Sequence, residues 1–360
     1  MWDIFDVKAK AKTDSKSISS SQKGTGKTPS GAIETLLVPT DFSEESLKAL
    51  SYARALLNYF PGAVHLVYVH DVDFAYAVPA LMATSPLLAT EEVERRYRKD
   101  LVKLAKQFDL SGSRLEQHVR TGRAYREISE LASKVGAQLI VIATHGRTGL
   151  RRLMLGSTAE RVVRHAPCPV LVVREKEREF VDLGKGKGGA KADLRISKIL
   201  VPVDFSDSSR EGLLYAISFA RRFGASLILL HAIQVQPFIP AAGHTVHERM
   251  PAPGVIERAA RLRARKFLKE VDFGGVNYEM EIQAGAPAHE ICRFAENANV
   301  ELIITSTQGQ TGLAHALIGS TAEHVVRYAH SPVLVVPTSE ASAQRQRDVA
   351  KGESRVAARS

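Results

Sequence analysis

The sequence predicts an α/β protein of two tandem doubly wound domains, each a five-stranded parallel sheet with helices on both faces. Two observations predict it. A segment of about 140 residues occurs twice, as in proteins built from repeated structural units. Within each copy, short apolar strands alternate with amphipathic helical segments, the pattern of parallel sheets whose crossover helices cover both faces.

The internal repeat keeps one register over most of its length. LVPTDFSEESLKAL begins at Leu37 and LVPVDFSDSSREGL begins at Leu200, a shift of 163 residues. The same shift relates Gly122 to Gly285. It also relates GSTAERVVRHAPCPVLVV, from Gly156, to GSTAEHVVRYAHSPVLVV, which agrees at 14 of 18 positions. Agreement of this extent indicates a duplication.

Each copy contains five predicted strands and four predicted helices. The helix after the first strand begins at Ser43, a residue type that caps helices. In the first copy the elements are the strand ETLLVPT, the helix SEESLKALSYARALLNY, the strand AVHLVYVHDV, a helix from about Thr90 to Phe108, the strand RLEQHVRTG, a helix from Tyr125 to about Val135, the strand QLIVIAT, the helix STAERVVRHA and the strand PVLVV. Ligands of such sheets bind beyond the carboxyl ends of the strands.

Domain bounds follow from the repeat and from composition. We predict a disordered N-terminal tail at 1–30, a first domain at 31–175, a flexible linker at 176–195, a second domain at 196–337 and a disordered C-terminal tail at 338–360. The linker has a Gly- and Lys-rich centre, GKGKGGAK, that buries no apolar area.

Charge and cysteine content exclude several functional classes. The net charge of +10 lies mostly outside the predicted domains: 1–30 carries +3, 174–198 carries +3 and 338–360 carries +2. We therefore expect no specific nucleic-acid partner. The two cysteines, Cys168 and Cys292, occupy non-equivalent positions, which argues against a disulfide framework or a multi-cysteine metal site. Without an apolar membrane span or secretory signal, a cytoplasmic location is expected.

The loop after the fourth strand has the features of a phosphate site. In IVIATHGRTGLRRLMLGSTAERVVR a buried strand ends at Ala143, small residues follow, and Gly156 and Ser157 open a helix. Glycine lets the main chain approach an anion, and the first amides of a helix lie at the positive end of its dipole. Arg147, in the same loop, would neutralise phosphate charge. The simpler interpretation, in which the glycines only make turns and Ser157 only caps the helix, explains the spacing equally well.

An acidic residue follows the first strand of each copy. VPTDFS and VPVDFS contain Asp41 and Asp204, and in a doubly wound sheet this strand lies beside the strand ending at Ala143. An exposed carboxylate there accepts hydrogen bonds from ribose hydroxyls or approaches a divalent ion bound to phosphates. The alternative is an aspartate that only makes a turn or caps the helix.

Together these motifs resemble the universal stress protein family over both copies, about 280 residues. Members of that family that bind ATP carry G-x2-G-x9-G-[S/T] in this loop. Three of the four positions match in each copy, because Ala143 and Ser306 replace the first glycine. THGRTG at 144–149 is close to the family's usual sequence, whereas TQGQTG at 307–312 lacks both its histidine and its arginine. The pattern falls on Ala143, Gly146, Gly156 and Ser157 in the first copy and on Ser306, Gly309, Gly319 and Ser320 in the second.

The resemblance implies an adenine nucleotide alpha hydrolase-like fold that binds ATP, AMP or ADP, with Mg²⁺ on the phosphates near Asp41. It also implies an intramolecular pseudo-dimer in which the two copies meet near their final strands, PVLVV, and a further homodimer. For Val69 and Ala232, which match the family's adenine-contacting position, ordinary strand core is the alternative. The full predicted nucleotide-binding set is Pro39, Thr40, Asp41, Val69, Ala143, His145, Gly146, Arg147, Gly149, Gly156, Ser157 and Thr158 in the first copy, and Pro202, Val203, Asp204, Ala232, Ser306, Gly309, Gly312, Gly319, Ser320 and Thr321 in the second.

Three functions remain open from the sequence. The first is a nucleotide-binding module in stress response or signalling, the second a slow nucleotide hydrolase or transferase on the same fold, and the third a dimerisation module that binds no nucleotide. The sequence shows no evident nucleophile, acid–base pair or metal cluster, so no efficient enzyme is expected. KGTGKT at 23–28 lacks the first glycine of a Walker loop and a preceding strand, so we expect no phosphate site there.

Overall fold

The fold is described from a computed structural model of the chain. The described residues are 33–70, 86–110, 114–144, 155–174, 181–182, 193–234, 253–309, 318–339 and 341–343. Among them, no helix combines the length and the apolar character needed to cross a membrane.

The first repeat is a five-stranded parallel sheet in the order β5-β4-β1-β2-β3. The order reverses between β1 and β4, as it does in doubly wound folds. The elements are β1 (Thr35–Pro39), α1 (Glu44–Leu57), β2 (Ala63–His70), α2 (Pro86–Gln107), β3 (Arg114–Thr121), α3 (Ala124–Lys134), β4 (Leu139–Ala143), α4 (Ser157–His165) and β5 (Val170–Val173).

The second repeat has the same order of strands and helices, with β12-β11-β8-β9-β10 all parallel. Two short strands, β6 (Val181–Asp182) and β7 (Asp193–Leu194), pair with each other between the repeats. The second repeat is formed by β8 (Lys198–Pro202), α5 (Asp207–Phe223), β9 (Ser226–Ile233), α6 (Pro253–Lys269), β10 (Tyr278–Ala284), α7 (Pro287–Asn297), β11 (Leu302–Ser306), α8 (Ser320–Tyr328) and β12 (Val333–Val336). The predicted α/β class is confirmed.

Alternation along the strands sorts the apolar side chains into two cores. In β1, Leu36 and Val38 point into one core and Leu37 into the other, and all three are buried. The first core is covered by α1, α2, α5 and α6, and the second by α3, α4, α7 and α8. Because both faces are covered, the central strands are apolar throughout rather than alternating with polar residues.

A single ten-stranded sheet runs through both repeats because β12 pairs antiparallel with β5. Leu171 lies opposite Leu334, its equivalent in the other repeat. The repeat relates Val170 to Val333 and Val172 to Val335. In the sheet each valine lies opposite the equivalent of the other, Val170 opposite Val335 and Val172 opposite Val333. This reciprocal pairing is the mark of an isologous contact, so the two repeats form an intramolecular pseudo-dimer about a pseudo-twofold axis near Leu171 and Leu334.

Two segments expected to be flexible or disordered contain defined structure. Within the predicted linker, β6 pairs with β7, Leu194 is buried, and its carbonyl accepts a hydrogen bond from the Tyr59 hydroxyl at 3.2 Å. At the start of the predicted C-terminal tail, Thr338 is buried and Ser339 donates from its amide and hydroxyl to the Glu211 carboxylate at 2.6 and 2.7 Å. Sequence composition does not report such contacts with distant residues.

Candidate functional site

The candidate site lies at the carboxyl ends of β1 and β4 in the first repeat and of β8 and β11 in the second. β1 pairs with β2 on one side and β4 on the other, and β8 lies likewise between β9 and β11. Successive crossovers leave the sheet in opposite directions at this point, which opens a crevice between the strand ends. The predicted adjacency of the Asp41 strand and the Ala143 strand is confirmed.

Asp41 is oriented by the start of α1. Its Oδ1 accepts hydrogen bonds from the Ser43 amide at 3.0 Å and from the Ser43 hydroxyl. The Ser43 hydroxyl oxygen also accepts from the Ser46 amide at 3.2 Å, which makes Ser43 the N-cap, as predicted. Asp41 therefore does make a turn, the simpler of the two interpretations, and this turn holds its carboxylate at the mouth of the crevice.

The second repeat reproduces this arrangement. Asp204 Oδ1 accepts from the Ser206 amide at 3.0 Å and from its hydroxyl at 2.6 Å, and Ser206 caps α5 through the Ser209 amide at 3.1 Å. Thr40, whose hydroxyl lies 3.0 Å from the Ser46 hydroxyl, is replaced by Val203. The buried Thr40 hydroxyl also accepts from the Phe42 amide at 3.1 Å, so it braces the aspartate turn of the first repeat, a contact that valine cannot make.

The residue after each aspartate adopts a left-handed backbone. Phe42 has a φ of 63° and Phe205 a φ of 66°. A bulky non-glycine residue in this region is unusual, and such strain is found most often at functional sites. This backbone was not predicted from the sequence; the repeated D-F-S triplet, an aromatic residue between a turn aspartate and a helix cap, is the signal that could have indicated it. This backbone accompanies the hydrogen bonds that tie Asp41 and Asp204 to the N-cap serines of the helices that follow.

The α4 end of the first site is closed by a main-chain contact. The Gly156 amide donates to the Thr144 carbonyl at 2.7 Å, and Thr144 is buried. Gly156 is the N-cap of α4 and provides no capping side chain, and Ser157 is the first helical residue. The interpretation in which Ser157 caps this helix is therefore wrong. The Gly156 amide is already used, which leaves Ser157 and Thr158 as the predicted phosphate-binding residues in the first turn.

The α8 end of the second site has the same geometry. The Gly319 amide donates to the Thr307 carbonyl at 2.7 Å, and Gly319 is the N-cap of α8 without a capping side chain. Ser320 and Thr321 then occupy the first turn. The Ser306 hydroxyl donates to the Gln308 carbonyl at 2.8 Å, an anchor for the loop that Ala143 cannot provide in the first repeat.

In the second repeat the aspartate and the loop glycine meet. A Cβ atom placed on Gly309 would lie 2.6 Å from Asp204 Oδ2, so only glycine fits against this carboxylate. By contrast, a Cβ on Gly319 would have its nearest contact at 3.4 Å, with the Thr307 carbonyl oxygen. The aspartate motif and the glycine motif, whose contacting residues are 105 positions apart in the sequence, therefore meet in the folded chain.

The remaining predicted positions lie on the strands or outside the described residues. Pro39 and Pro202 end β1 and β8; Val69 is partly buried against the second core, and Ala232 is half-buried in β9. These positions are strand residues at the crevice, and the adenine contact of Val69 and Ala232 stays a prediction. His145, Gly146, Arg147, Gly149 and Gly312 lie outside the described residues, as do 23–28.

A histidine lies behind the strained turn of the second repeat. His231 Nδ1 is 2.8 Å from the Val203 carbonyl, and because a carbonyl only accepts, Nδ1 carries the proton. The imidazole ring lies 4.3 Å from the Phe205 ring, centroid to centroid. Burial lowers the pKa of His231, and the hydrogen bond to Val203 opposes this in part. The neutral form is therefore favoured beside Asp204.

A cleft of about 360 Å³ opens beside the first site, on the α2 side of Phe42. The Phe42, Tyr68 and Tyr97 rings form its aromatic neighbourhood, with 3.9 Å between the Tyr68 and Tyr97 centroids. Its lining is Phe42, Leu47, Arg96, Tyr97, Asp100, Lys103, Leu104 and Gln107. This lining includes neither Asp41 nor Gly156, so the cleft is separate from the crevice at the strand ends.

Comparison with known proteins gives a consistent family assignment. The model of the family described as "Universal stress protein family" matches residues 32–174 and 195–337. A universal stress protein of Mycolicibacterium smegmatis is 26% identical over 306 residues, which cover 84% of this chain and 96% of that protein. A universal stress protein of Methanocaldococcus jannaschii is 38% identical over 143 residues, 39% of this chain and 81% of that protein.

Solved structures agree on the fold. A universal stress protein from Archaeoglobus fulgidus has a TM-score of 0.59 at 21% identity, covering 86% of this chain and 99% of that chain. A structure described as a putative universal stress protein from Pseudomonas aeruginosa has a TM-score of 0.58 at 20% identity, covering 89% and 99%. At these identities the likeness establishes the architecture and nothing about ligands.

Proposed function

Because this chain belongs to the universal stress protein family, with two repeats in tandem, we propose that it is an ATP-binding module without efficient catalysis. The observation that carries the proposal is the meeting of Asp204 with Gly309, which unites the aspartate turn and the glycine loop in one crevice. The first repeat has the same aspartate turn and the same Gly156–Thr144 closure, so the proposal extends to both crevices.

Each group in the crevice has a distinct role in this proposal. The Asp41 carboxylate accepts hydrogen bonds from the ribose hydroxyls or approaches Mg²⁺ carried by the phosphates. Amides of the first turn of α4, at Ser157 and Thr158, donate to the phosphates at the positive end of the helix dipole. Arg147 adds charge that the second repeat lacks; we therefore propose tighter binding in the first repeat.

Binding without efficient catalysis matches the chemistry of the described crevice residues. The Ser43 hydroxyl donates to Asp41 and accepts from the Ser46 amide, so this serine acts as the cap of α1 rather than as an activated nucleophile. ADP or AMP would bind through the same ribose and phosphate contacts. In this proposal the protein acts in the cytoplasm in stress response or signalling, with no specific nucleic-acid partner.

A further homodimer of tandem chains is part of the proposal. Among the strands of the described residues, β3 and β10 end the ten-stranded sheet and have a strand neighbour on one side only. Unpaired strand edges are the usual places where another chain adds to a sheet. The internal contact between β5 and β12 uses the other edge of each repeat, so it leaves these outer edges available.

The nucleotide proposal is tested by placing a carboxylate at each helix start. Asp is a preferred N-cap residue, so Gly156→Asp and Gly319→Asp keep the helix start while introducing charge where the phosphates would lie. We expect native mass spectrometry of the purified chain to show bound adenylate, and calorimetry with Mg-ATP to show weakening of at least about tenfold in G156D, because like-charge contacts cost several kcal/mol. G319D should weaken only the second, lower-affinity site.

Ala286→Asp is the matched control, because Ala286 is the exposed N-cap of α7 and lies after the outer strand β10. Its binding isotherm should equal that of the unmodified chain. A protein that purifies without nucleotide and gives no heat with Mg-ATP refutes the proposal. Rapid phosphate release that G156D abolishes would instead establish a hydrolase.

A further inference from the structure

Two histidines and a glutamate converge on the outer strands of the first repeat, away from the crevice. His65 is in β2, and Glu116 and His118 are in β3. The strand register places His65 directly opposite Glu116 and places His118 opposite Val67. Alternation puts all three side chains on the face covered by α3, at the third residue of β2 and the third and fifth residues of β3.

The three side chains point their donor atoms at one another. His65 Nδ1 lies 3.0 Å from His118 Nε2, and Glu116 Oε2 lies 3.7 Å from His65 Nδ1 and 3.9 Å from His118 Nε2. Within the described residues this is the group of three potential ligands whose donor atoms all lie within 4.8 Å of one another.

These separations match those of ligands around one small transition-metal ion. Zn²⁺ binds histidine nitrogen at about 2.0–2.1 Å, so two nitrogens on a tetrahedral ion are about 3.3 Å apart. The nitrogen–nitrogen distance of 3.0 Å is within a few tenths of this value, and the carboxylate oxygen needs a small movement inward. Because Glu116 is on the outside, a rotation of its exposed side chain provides that movement.

Burial and charge around the cluster also suit a metal. The side chains are 7% exposed at His65, 20% at His118 and 65% at Glu116, so the nitrogens are shielded while the carboxylate side opens to water. Burial lowers the pKa of both imidazoles, which favours the neutral, metal-binding form. The neighbouring cation on β3, Arg120, is paired with Glu127 at 3.5 Å.

The second repeat provides an internal comparison. The positions equivalent to His65, Glu116 and His118 are Ile228, Glu279 and Glu281, which include no imidazole. Glu279 is opposite Ile228 in the strand register, as Glu116 is opposite His65. The duplicated fold therefore does not require this cluster, and the two imidazoles are a property of the first repeat alone.

We propose that His65, His118 and Glu116 bind one Zn²⁺ ion, with water as the fourth ligand. Imidazole nitrogen selects transition metals over Mg²⁺, so this site is distinct from any Mg²⁺ carried by a nucleotide. The two sites also use different strands, since the cluster lies on β2 and β3 and the crevice opens between β1 and β4. The simpler alternative is a hydrogen bond in which one neutral imidazole donates to the other.

The experiment uses the untagged full-length chain after treatment with a chelator. Calorimetry with ZnCl₂ should show one equivalent bound, and CoCl₂ should give the visible absorption of a four-coordinate ion. Glu116→Gln and His118→Gln should each weaken Zn²⁺ binding at least about tenfold, because loss of even an outer-shell partner has that effect. Excess MgCl₂ should leave the Zn²⁺ isotherm unchanged.

His330→Gln is the matched control: it removes an exposed histidine that lies 3.9 Å from a glutamate, Glu296, in the other repeat. Its Zn²⁺ binding should be unchanged. Glu116 is largely exposed, so E116Q remains informative if H118Q disturbs the fold, which circular dichroism would report. Absence of Zn²⁺ binding, or Zn²⁺ binding equally strong in E116Q, overturns the proposal and leaves the hydrogen-bonded pair of imidazoles.

Discussion

Two single residues, Gly122 and Gly285, occupy equivalent positions of the repeat where the backbone excludes a side chain. Their φ angles are +149° and +150°, which residues with a side chain rarely adopt. A Cβ on Gly285 would also lie 2.7 Å from Glu290 Oε1, and a Cβ on Gly122 would lie 2.7 Å from Glu127 Oε1. The repeat in the sequence relates these two glycines; the contact with the glutamate of the following helix required the structure.

At the same scale, His231 makes stability depend on pH. Burial lowers its folded pKa below the 6.5 of an unfolded histidine, so as pH falls the unfolded chain takes up the proton first. Stability is therefore lost as pH falls through about 6.5 toward the folded pKa, and is complete above that range. His65 and His118, whose pKa values burial also lowers, add to the same trend.

His231→Tyr should reduce this dependence. The corresponding position of the first repeat is Tyr68, so the fold accommodates tyrosine there. Thermal unfolding in the presence of a chelator, measured at about pH 7.5 and about pH 5, should show a smaller loss of Tm in the variant than in the unmodified chain. His330→Tyr, at an exposed position, should behave like the unmodified chain. An unchanged loss of Tm in H231Y would contradict this role.

The starts of the helices are set by local residues: a capping serine in α1 and α5, and a proline in α2. Ser43 and Ser206 cap α1 and α5, and each also donates to the preceding aspartate. α2 begins at Pro86, earlier than the predicted start near Thr90. Proline is tolerated in the first turn of a helix, where its missing amide has no helical acceptor, so the helix includes a residue that the sequence pattern would place in the loop.

Ser206→Ala should destabilise the second repeat through the start of α5. The variant loses the cap on the Ser209 amide and one donor to Asp204, and capping losses of this kind cost about 1 kcal/mol. Urea unfolding should report that decrease in the free energy of unfolding. Ser218→Ala, in the middle of the same helix, removes only a bond to the Leu214 carbonyl and should cost less. Equal losses would show that the cap has no special effect.

For the whole molecule, the pseudo-twofold axis explains several contacts that join the repeats. Phe60 and Phe223 are equivalent residues, and their rings meet across the axis at 5.8 Å. Tyr59 and Arg222 are also equivalent, and the Arg222 Nε donates to the Tyr59 carbonyl at 2.7 Å. Near α4 and α8, Arg327 pairs with Glu323 in its own repeat and with Glu160 of the other, at 3.0 and 3.6 Å.

Phe223→Ala should uncouple the two repeats. Phe223 contacts the Phe60 and Tyr59 rings of the other repeat, and loss of a partly buried aromatic side chain costs about 1–3 kcal/mol. We expect one urea transition for the unmodified chain and a broadened or double transition for the variant. Phe273→Ala, which breaks a ring contact with Tyr278 inside the second repeat, is the control and should keep one transition. A single sharp transition in F223A would contradict the uncoupling.

The amino-acid sequence by itself determined the duplication, the order of strands and helices, and the aspartate and glycine segments of the crevice, because hydrophobic periodicity and turn chemistry act over neighbouring residues. Only the tertiary structure decided that Asp204 meets Gly309, that His65 meets His118, and that β5 pairs antiparallel with β12. Each of these contacts joins residues far apart in the chain. Strand register and packing set such contacts, and neither is encoded in any single stretch of residues.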